Sequence, residues 1–190
     1  MSEVGLLRFI SPDLAVSDET IRLFGRIRGA LDLLRRSGVK DELNLPLVYL
    51  AAMISHLHTD AIRTLCRELS LSGEEERILT DSREVLEVKL GEGRSGIYRA
   101  FEGRSVESLL FLLAKTDDER VKSSVVEYLT GLRHIKPIVS GDDLKEMGLK
   151  PGPIFGEILR EAFNAQLDGE LRSRSQLRQF LISRGYIRCI

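Results

Sequence analysis

The 190-residue chain has only two cysteines, Cys66 and Cys189, far apart and in no metal-ligand spacing. That excludes a disulfide-stapled scaffold, and free thiols without a framework point to a reducing, cytoplasmic compartment. Long apolar runs are missing too. The longest, LPLVYLAAMI at 45–54, is about half of the roughly 20 residues a membrane span needs, so it reads as a buried core helix and no membrane partner is expected. The start, MSEVGLLRFISPDL, has no basic segment followed by a long apolar one, so no signal peptide is visible. Charge of one sign is also lacking: the formal net charge is −1. With no global basic field, any contact with nucleic acid has to be local. Strand signals are absent as well. No segment sustains apolar–polar alternation, and Asp168-Gly169, which follows a helical stripe, reads as a helix stop rather than a hairpin turn.

What remains is helical periodicity nearly throughout. Leu23, Phe24, Ile27, Leu31 and Leu34 form one apolar stripe, with Ser17 as its cap and Gly38 at its end. Pro46 sits in the first turn of the next helix, and Thr59 is expected to cap a third carrying Ile62, Leu65, Cys66 and Leu69. Capping-box patterns recur at Ser72/Glu75, opening a helix to about Leu90, and at Thr116/Glu119, Ser140/Asp143 and Ser173/Gln176. VESLLFLL at 106–113 is apolar nearly all round and is expected to be buried, whereas GEGRSG at 91–96 reads as an internal linker. The expected fold is all-α, a bundle or array of about nine or ten helices, with a neck and body over 1–136 and a tail over 137–190. Apolar residues begin almost at Met1, which reads as a chain that starts inside a domain, a fragment of something longer.

The densest signal is GLKPGPIFG at 148–156. Gly148 suits the positive φ that ends a short helix over 142–147. Pro151 and Pro153 fix φ on both sides of Gly152, and Pro153 suits the first position of the next helix. The N–H groups of Ile154, Phe155 and Gly156 are then the donors of that helix's first turn, with Lys150 beside them. Two readings stand. Such a terminus can hold a phosphate oxygen, or the same residues can form a tight connection with no ligand. Seven acidic residues against three basic over 141–170 weigh against an anion site.

These residues carry a family resemblance. Val139-Ser140-Gly141-Asp142-Asp143-Leu144, Gly148, Pro151-Gly152-Pro153, Gly156, Ile158-Leu159 and Ala165-Gln166-Leu167-Asp168-Gly169-Glu170 resemble the C-terminal region of bacterial tRNA nucleotidyltransferases, the CCA-adding and poly(A) polymerase family. LLRFISPDL at 6–14 and LPLVYLAAMISHL at 45–57 are similar to neck and body helices of its long members. The resemblance implies an all-helical neck, body and tail that cradle tRNA, and a catalytic head N-terminal to them. It implies that the parent enzyme uses nucleoside triphosphates and two magnesium ions, bound by a Gly-Ser loop and an Asp-x-Asp pair. This chain has neither Gly-Ser nor Asp-x-Asp, and two carboxylates at that spacing are what hold both metals. No catalytic residue, metal or cofactor is therefore expected here, and the catalytic domain is missing from this sequence.

Other constellations are weaker. His56, His58 and Asp60 in HLHTD suggest a metal, but on a helix residues i and i+2 diverge by about 200°, so a polar helix end is the expectation. Arg22, Arg26, Arg28, Arg35 and Arg36 lie along the first helix, and five arginines with no acid fill 171–190. Arg94, Arg99 and Arg104 accompany Tyr98 and Phe101, the two rings being expected in the core. The expected RNA phosphate contacts are Lys150, Gly152, Ile154, Phe155 and Arg160, then Arg172, Arg174 and Arg178. The partner is a tRNA or another RNA 3′ end. The alternative is a helical interaction or dimerisation module, such as a homodimer, without RNA.

Overall fold

The computed structural model describes residues 17–187. Among them are ten α-helices and no strand, in line with the all-α expectation. In chain order they are α1 (Asp18–Arg36), α2 (Leu45–Met53), α3 (Thr59–Glu68), α4 (Gly73–Glu84), α5 (Gly93–Phe101), α6 (Val106–Lys115), α7 (Glu119–Thr130), α8 (Gly141–Glu146), α9 (Pro153–Leu167) and α10 (Leu177–Ser183). The chain forms two compact units. One comprises Met1–Lys89 and Phe101–Thr130, the other Leu90–Ala100 and Gly131–Ile190.

The first unit is built around α6, which packs against α1, α2, α4 and α7. Seven of its ten residues are buried, as its all-round apolar sequence requires. Helix α1 opens on reciprocal bonds between Ser17 and Thr20, the Thr20 N–H donating to Ser17 Oγ at 3.1 Å. It buries Leu23, Ile27, Leu31 and Leu34, and it ends at Arg36, with Gly38 just beyond at φ +91°. Phe24 is half-buried, edge-on to Tyr49 at 5.1 Å. Glu19 and Arg26 tie α1 to the α6–α7 turn through Lys115 at 3.0 Å and Asp117 at 2.6 Å.

Three local expectations are corrected. Thr59 is the first residue of α3 and not its cap, which is His58, without a side-chain bond. Helix α4 keeps its Ser72/Glu75 box but stops at Glu84 and tightens into a 3-10 turn over Val85–Glu87. Val88 is already extended, and Leu90 belongs to the second unit. Helix α7 is opened by Asp118 rather than Thr116, because the Asp118 carboxylate accepts the N–H groups of Arg120 (2.8 Å) and Val121 (3.3 Å).

The second unit packs α8, α9 and α10 around Val139, Leu144, Ile158, Ala162, Leu177 and Leu181. The Ser140/Asp143 box opens α8, with Ser140 Oγ 2.6 Å from Asp143 Oδ2. The Ser173/Gln176 pattern makes no box. Residues Arg174–Gln176 form a 3-10 turn, and Gln176 Oε1 instead accepts the N–H of Arg172 at 2.8 Å. Gln166 on α9 clasps the incoming chain, donating to the Lys136 carbonyl and accepting the Ile138 N–H, both at 2.9 Å.

Candidate nucleic-acid interface

Helix α8 ends at Met147, and Gly148 follows with φ +85°. Leu149 then packs onto the second unit's core and donates its N–H to the Leu144 carbonyl at 3.1 Å. Lys150, Pro151, Gly152 and Pro153 are exposed, and Pro153 is the first residue of α9. Of the three donors expected in that first turn, Phe155 is committed, its N–H bonding the Gly152 carbonyl at 3.0 Å. The Phe155 side chain is half-buried against the core, while Ile154 is 45% exposed.

Unlike Gly148, Gly152 and Gly156 are not imposed by backbone or packing. Gly152 is fully extended (φ 179°), a conformation any residue adopts. A Cβ there would meet only the Lys150 carbonyl, at 3.9 Å, and at Gly156 it would meet nothing within 4 Å. Glycine inside a helix costs about 0.5–1 kcal/mol relative to alanine, so Gly156 is a cost that no internal contact offsets.

The predicted cations divide into two groups. Arg174 is committed: its guanidinium pairs with Asp143 and, at 2.8 Å, with Glu146, clamping the 3-10 turn onto α8. Arg172 spends its Nε on the Gly169 carbonyl at 3.0 Å. Arg184 pairs with Glu170 at 3.1 Å and lies over the Phe180 ring. In contrast, Lys150, Arg160 and Arg178 are exposed and make no hydrogen bond or ion pair among the described residues.

The net charge of −1 conceals a segregation. The second unit carries 12 Lys and Arg against 8 Asp and Glu, a net +4, which leaves −5 on the first. Several of the eight acids are also committed internally. Asp142 pairs with Lys145, Glu170 with Arg184, and Asp143 and Glu146 with Arg174. The acidic surplus counted along 141–170 is therefore partly neutralised in the fold.

Sequence reasoning missed the most constrained feature. Asp168, just past α9, accepts the backbone N–H of Ser95 at 2.9 Å and so caps α5 from 73 positions away. Partial burial pushes its carboxyl up. The Ser95 hydroxyl, the N–H groups of Ser95 and Arg94, and the Arg99 charge outweigh that and hold it below the usual range. Gly93 makes room for this contact, and Gly96 for the close approach of the Gly91 backbone. A Cβ on Gly93 (φ +68°) would lie 2.6 Å from Asp168 Oδ1, and one on Gly96 would lie 2.5 Å from the Gly91 backbone. The expected linker is thus a packed helix start, with Ser95 buried. Tyr98 reinforces the seat, its ring edge-on to Phe163 of α9 at 5.1 Å.

The remaining constellations are structural. Phe101 is fully buried against Tyr128. Arg104 pairs with the buried Asp81, which also accepts from the Ser105 N–H (2.9 Å) and Ser108 Oγ (3.0 Å). His56 lies in the turn after α2, and His58 caps α3. No group of three or more His, Cys, Asp or Glu is placed to hold a metal among the described residues. With no Asp-x-Asp in the sequence either, the residues do not fit the magnesium pair that the resemblance implies for a catalytic head. No helix among the described residues is long and apolar enough to cross a membrane.

Comparison with known proteins agrees with the resemblance read from the Pro-Gly-Pro block. The chain is 34% identical over 185 residues, 92% of its length, to an A-adding tRNA nucleotidyltransferase of Geobacter sulfurreducens, and spans 21% of that relative. It is 31% identical over 74 residues, 39% of its length, to an A-adding tRNA nucleotidyltransferase of Halalkalibacterium halodurans, and spans 17% of it. The chain thus spans about a fifth of the length of these relatives. Its fold is similar to that of a CCA-adding enzyme solved with CTP, at 17% identity and TM-score 0.70, over 96% of this chain and 44% of that one. A CCA-adding enzyme solved with ATP matches at 15% identity and TM-score 0.67, over 100% and 48%. No protein-family profile matches the chain.

Proposed function

We propose that this chain, similar over nearly its whole length to an A-adding tRNA nucleotidyltransferase, is an RNA-holding region of such an enzyme. It grips the backbone of a tRNA, or of another RNA, by charge and shape. In doing so it presents the RNA 3′ end to a catalytic head carried on another segment. Magnesium and nucleoside triphosphates serve the head, and this chain's own residues contribute binding and orientation.

The observation that carries this function is the charge segregation. The second unit is net +4, and Lys150, Arg160 and Arg178 stay out of ion pairs among the described residues. Cations of this kind displace counterions from phosphates, which makes binding salt-dependent and indifferent to sequence. The first turn of α9, with Ile154 and Gly156 at its positive dipole end and Lys150 beside it, adds backbone donors for one more phosphate. Arg172 contributes what its guanidinium has left after Gly169, and Arg174 serves to hold the 3-10 turn in place.

The test is binding of the chain to deacylated tRNA over a salt series, beside Lys150→Glu and Arg178→Glu variants. Micromolar binding that weakens steeply with salt is expected, with each variant lowering the salt slope by about one. A folded sample with no binding at low salt would remove this function. One observation favours a second reading, an interaction or dimerisation module: Ile21 on α1 is 57% exposed. Concentration-dependent dimerisation lost in Ile21→Ser would support it.

A further inference from the structure

The second unit has a groove of about 420 Å³ between the Glu170–Leu171 strand of chain and one face of α10 with its two flanking residues. The lining side chains Gln176, Gln179, Phe180, Ser183 and Arg184 recur at helical spacing along that face. Phe180, one of the lining residues, is only 9% exposed. The Arg184 guanidinium lies 5.5 Å from the centre of its ring, and Glu170 fixes it at 3.1 Å.

The chemistry of the groove excludes a phosphate as the preferred occupant. Among the described residues that line it, the one cation, Arg184, is already paired with Glu170, and a phosphate would bring a second anion against that carboxylate. What the groove offers is a planar guanidinium whose Cζ lies 5.5 Å from the centre of the Phe180 ring, together with primary amides. Gln176 has its oxygen committed to the Arg172 N–H, so its NH₂ remains as donor. Gln179 makes no hydrogen bond among the described residues, so it keeps both a donor and an acceptor. Ser183 gives its proton to the Phe180 carbonyl at 2.8 Å and keeps lone pairs as acceptors. A flat guanidinium for stacking with an amide donor–acceptor pair beside it is the set that recognises an unstacked nucleobase. The volume lies within the range of small-molecule sites. Arg178 is exposed, makes no ion pair among the described residues and does not line the groove, so it serves as the phosphate contact against which the base site is compared.

We propose that this groove takes one unpaired nucleobase of the bound RNA, stacked on Arg184 and hydrogen-bonded by Gln179. The proposal rests on the RNA-holding function above and adds to it a contact with a base. It separates from the phosphate contacts by its salt behaviour, because a base contact contributes affinity without releasing counterions.

The experiment uses the full chain, deacylated tRNA and the variants Gln179→Ala and Arg184→Lys. The second variant keeps the charge that pairs with Glu170 and removes the plane. Each is expected to weaken binding by about tenfold, in the range of a single base stack, with an unchanged salt slope. Arg178→Glu, in contrast, is expected to lower the slope. Saturation-transfer NMR with adenosine, cytidine and ribose 5-phosphate on the same chain supplies a readout independent of tRNA. Signal from a nucleoside that is lost in Gln179→Ala supports the groove as a base site. Signal from ribose 5-phosphate alone overturns it in favour of a phosphate site. If the parent chain binds tRNA with a steep salt dependence while both variants bind as it does, the base site is overturned and the RNA-holding function stands. If the parent chain does not bind tRNA at low salt, both are overturned.

Discussion

Asp168 and Ser95 are 73 positions apart, and the carboxylate of one caps the helix that carries the other, at 2.9 Å. The bond stitches the 90–100 segment to the end of α9 within the second unit. Replacing Asp168 by Ala leaves the Arg94 and Ser95 donors without their acceptor. A lost cap of this kind costs about 1 kcal/mol, within a range of roughly 0.5–2. Asp168→Asn keeps an oxygen acceptor and is expected to cost less. Thermal unfolding of the three proteins at neutral pH gives the order directly, and equal midpoints for Asp168→Ala and the parent would remove the clamp.

The same bond predicts a pH dependence. The Asp168 carboxyl is held below its ordinary value: partial burial opposes this, and the Ser95 hydroxyl leads the groups that lower it. Asp143 is also lowered, first by the Ser140 hydroxyl, then by the Ser140 N–H and by Arg174. A carboxylate whose folded pKa is depressed contributes stability above its unfolded pKa of about 3.9, and loses it as pH falls through the folded value. Stability is therefore expected to be level from neutral pH down to about 5 as far as these two groups decide it. It then falls below pH 4, and the difference between the parent and Asp168→Asn shrinks over the same interval. A difference that stays constant down to pH 2 would contradict the assignment.

Glycines make opposite predictions at two positions. Gly96→Ala drives a methyl to 2.5 Å from the Gly91 backbone. Backbone cannot yield as a flexible side chain does, so this substitution is expected to cost well above the ~1 kcal/mol typical of a point substitution. Gly156→Ala meets nothing within 4 Å and removes a helix-interior glycine, so it is expected to stabilise by about 0.5–1 kcal/mol. If the first turn of α9 holds RNA closely, the more stable Gly156→Ala protein binds tRNA less well. A gain in both stability and affinity would show that the bare surface serves no ligand.

The legible parts of the fold were those that local chemistry decides. The reciprocal bonds at Ser72/Glu75 and Ser140/Asp143 close within three residues, so spacing suffices to read them. Thr116/Glu119 has the same spacing and fails, because Asp118 is nearer the helix start and a carboxylate outcompetes a hydroxyl for the N–H groups of Arg120 and Val121. Gly148 and Pro153 could be placed because each has a backbone requirement of its own. GEGRSG misled because glycines that admit a close approach look the same in sequence as glycines that loosen a linker, and the approaching Asp168 lies far along the chain. The arginines were the least legible. Nothing in RSRSQLR distinguishes Arg174, which is tied to two carboxylates of α8, from Arg178, which is tied to none among the described residues.

That distinction gives the last prediction. Arg174→Gln removes ion pairs to Asp143, whose side chain is 6% exposed, and to Glu146, which is 67% exposed. Asp143 keeps its Ser140 partners, and the arginine itself is more than half exposed. The loss is therefore that of a partly screened pair, about 1 kcal/mol. Arg178→Gln breaks no side-chain bond among the described residues and is expected to leave the unfolding midpoint within experimental error. In a tRNA salt series the two exchange roles: Arg178→Gln lowers the slope by about one, and Arg174→Gln leaves it unchanged. Two arginines four residues apart then separate into one that holds the fold and one that holds RNA. A lowered slope in Arg174→Gln would instead mean that RNA competes successfully with Asp143 and Glu146 for the same guanidinium.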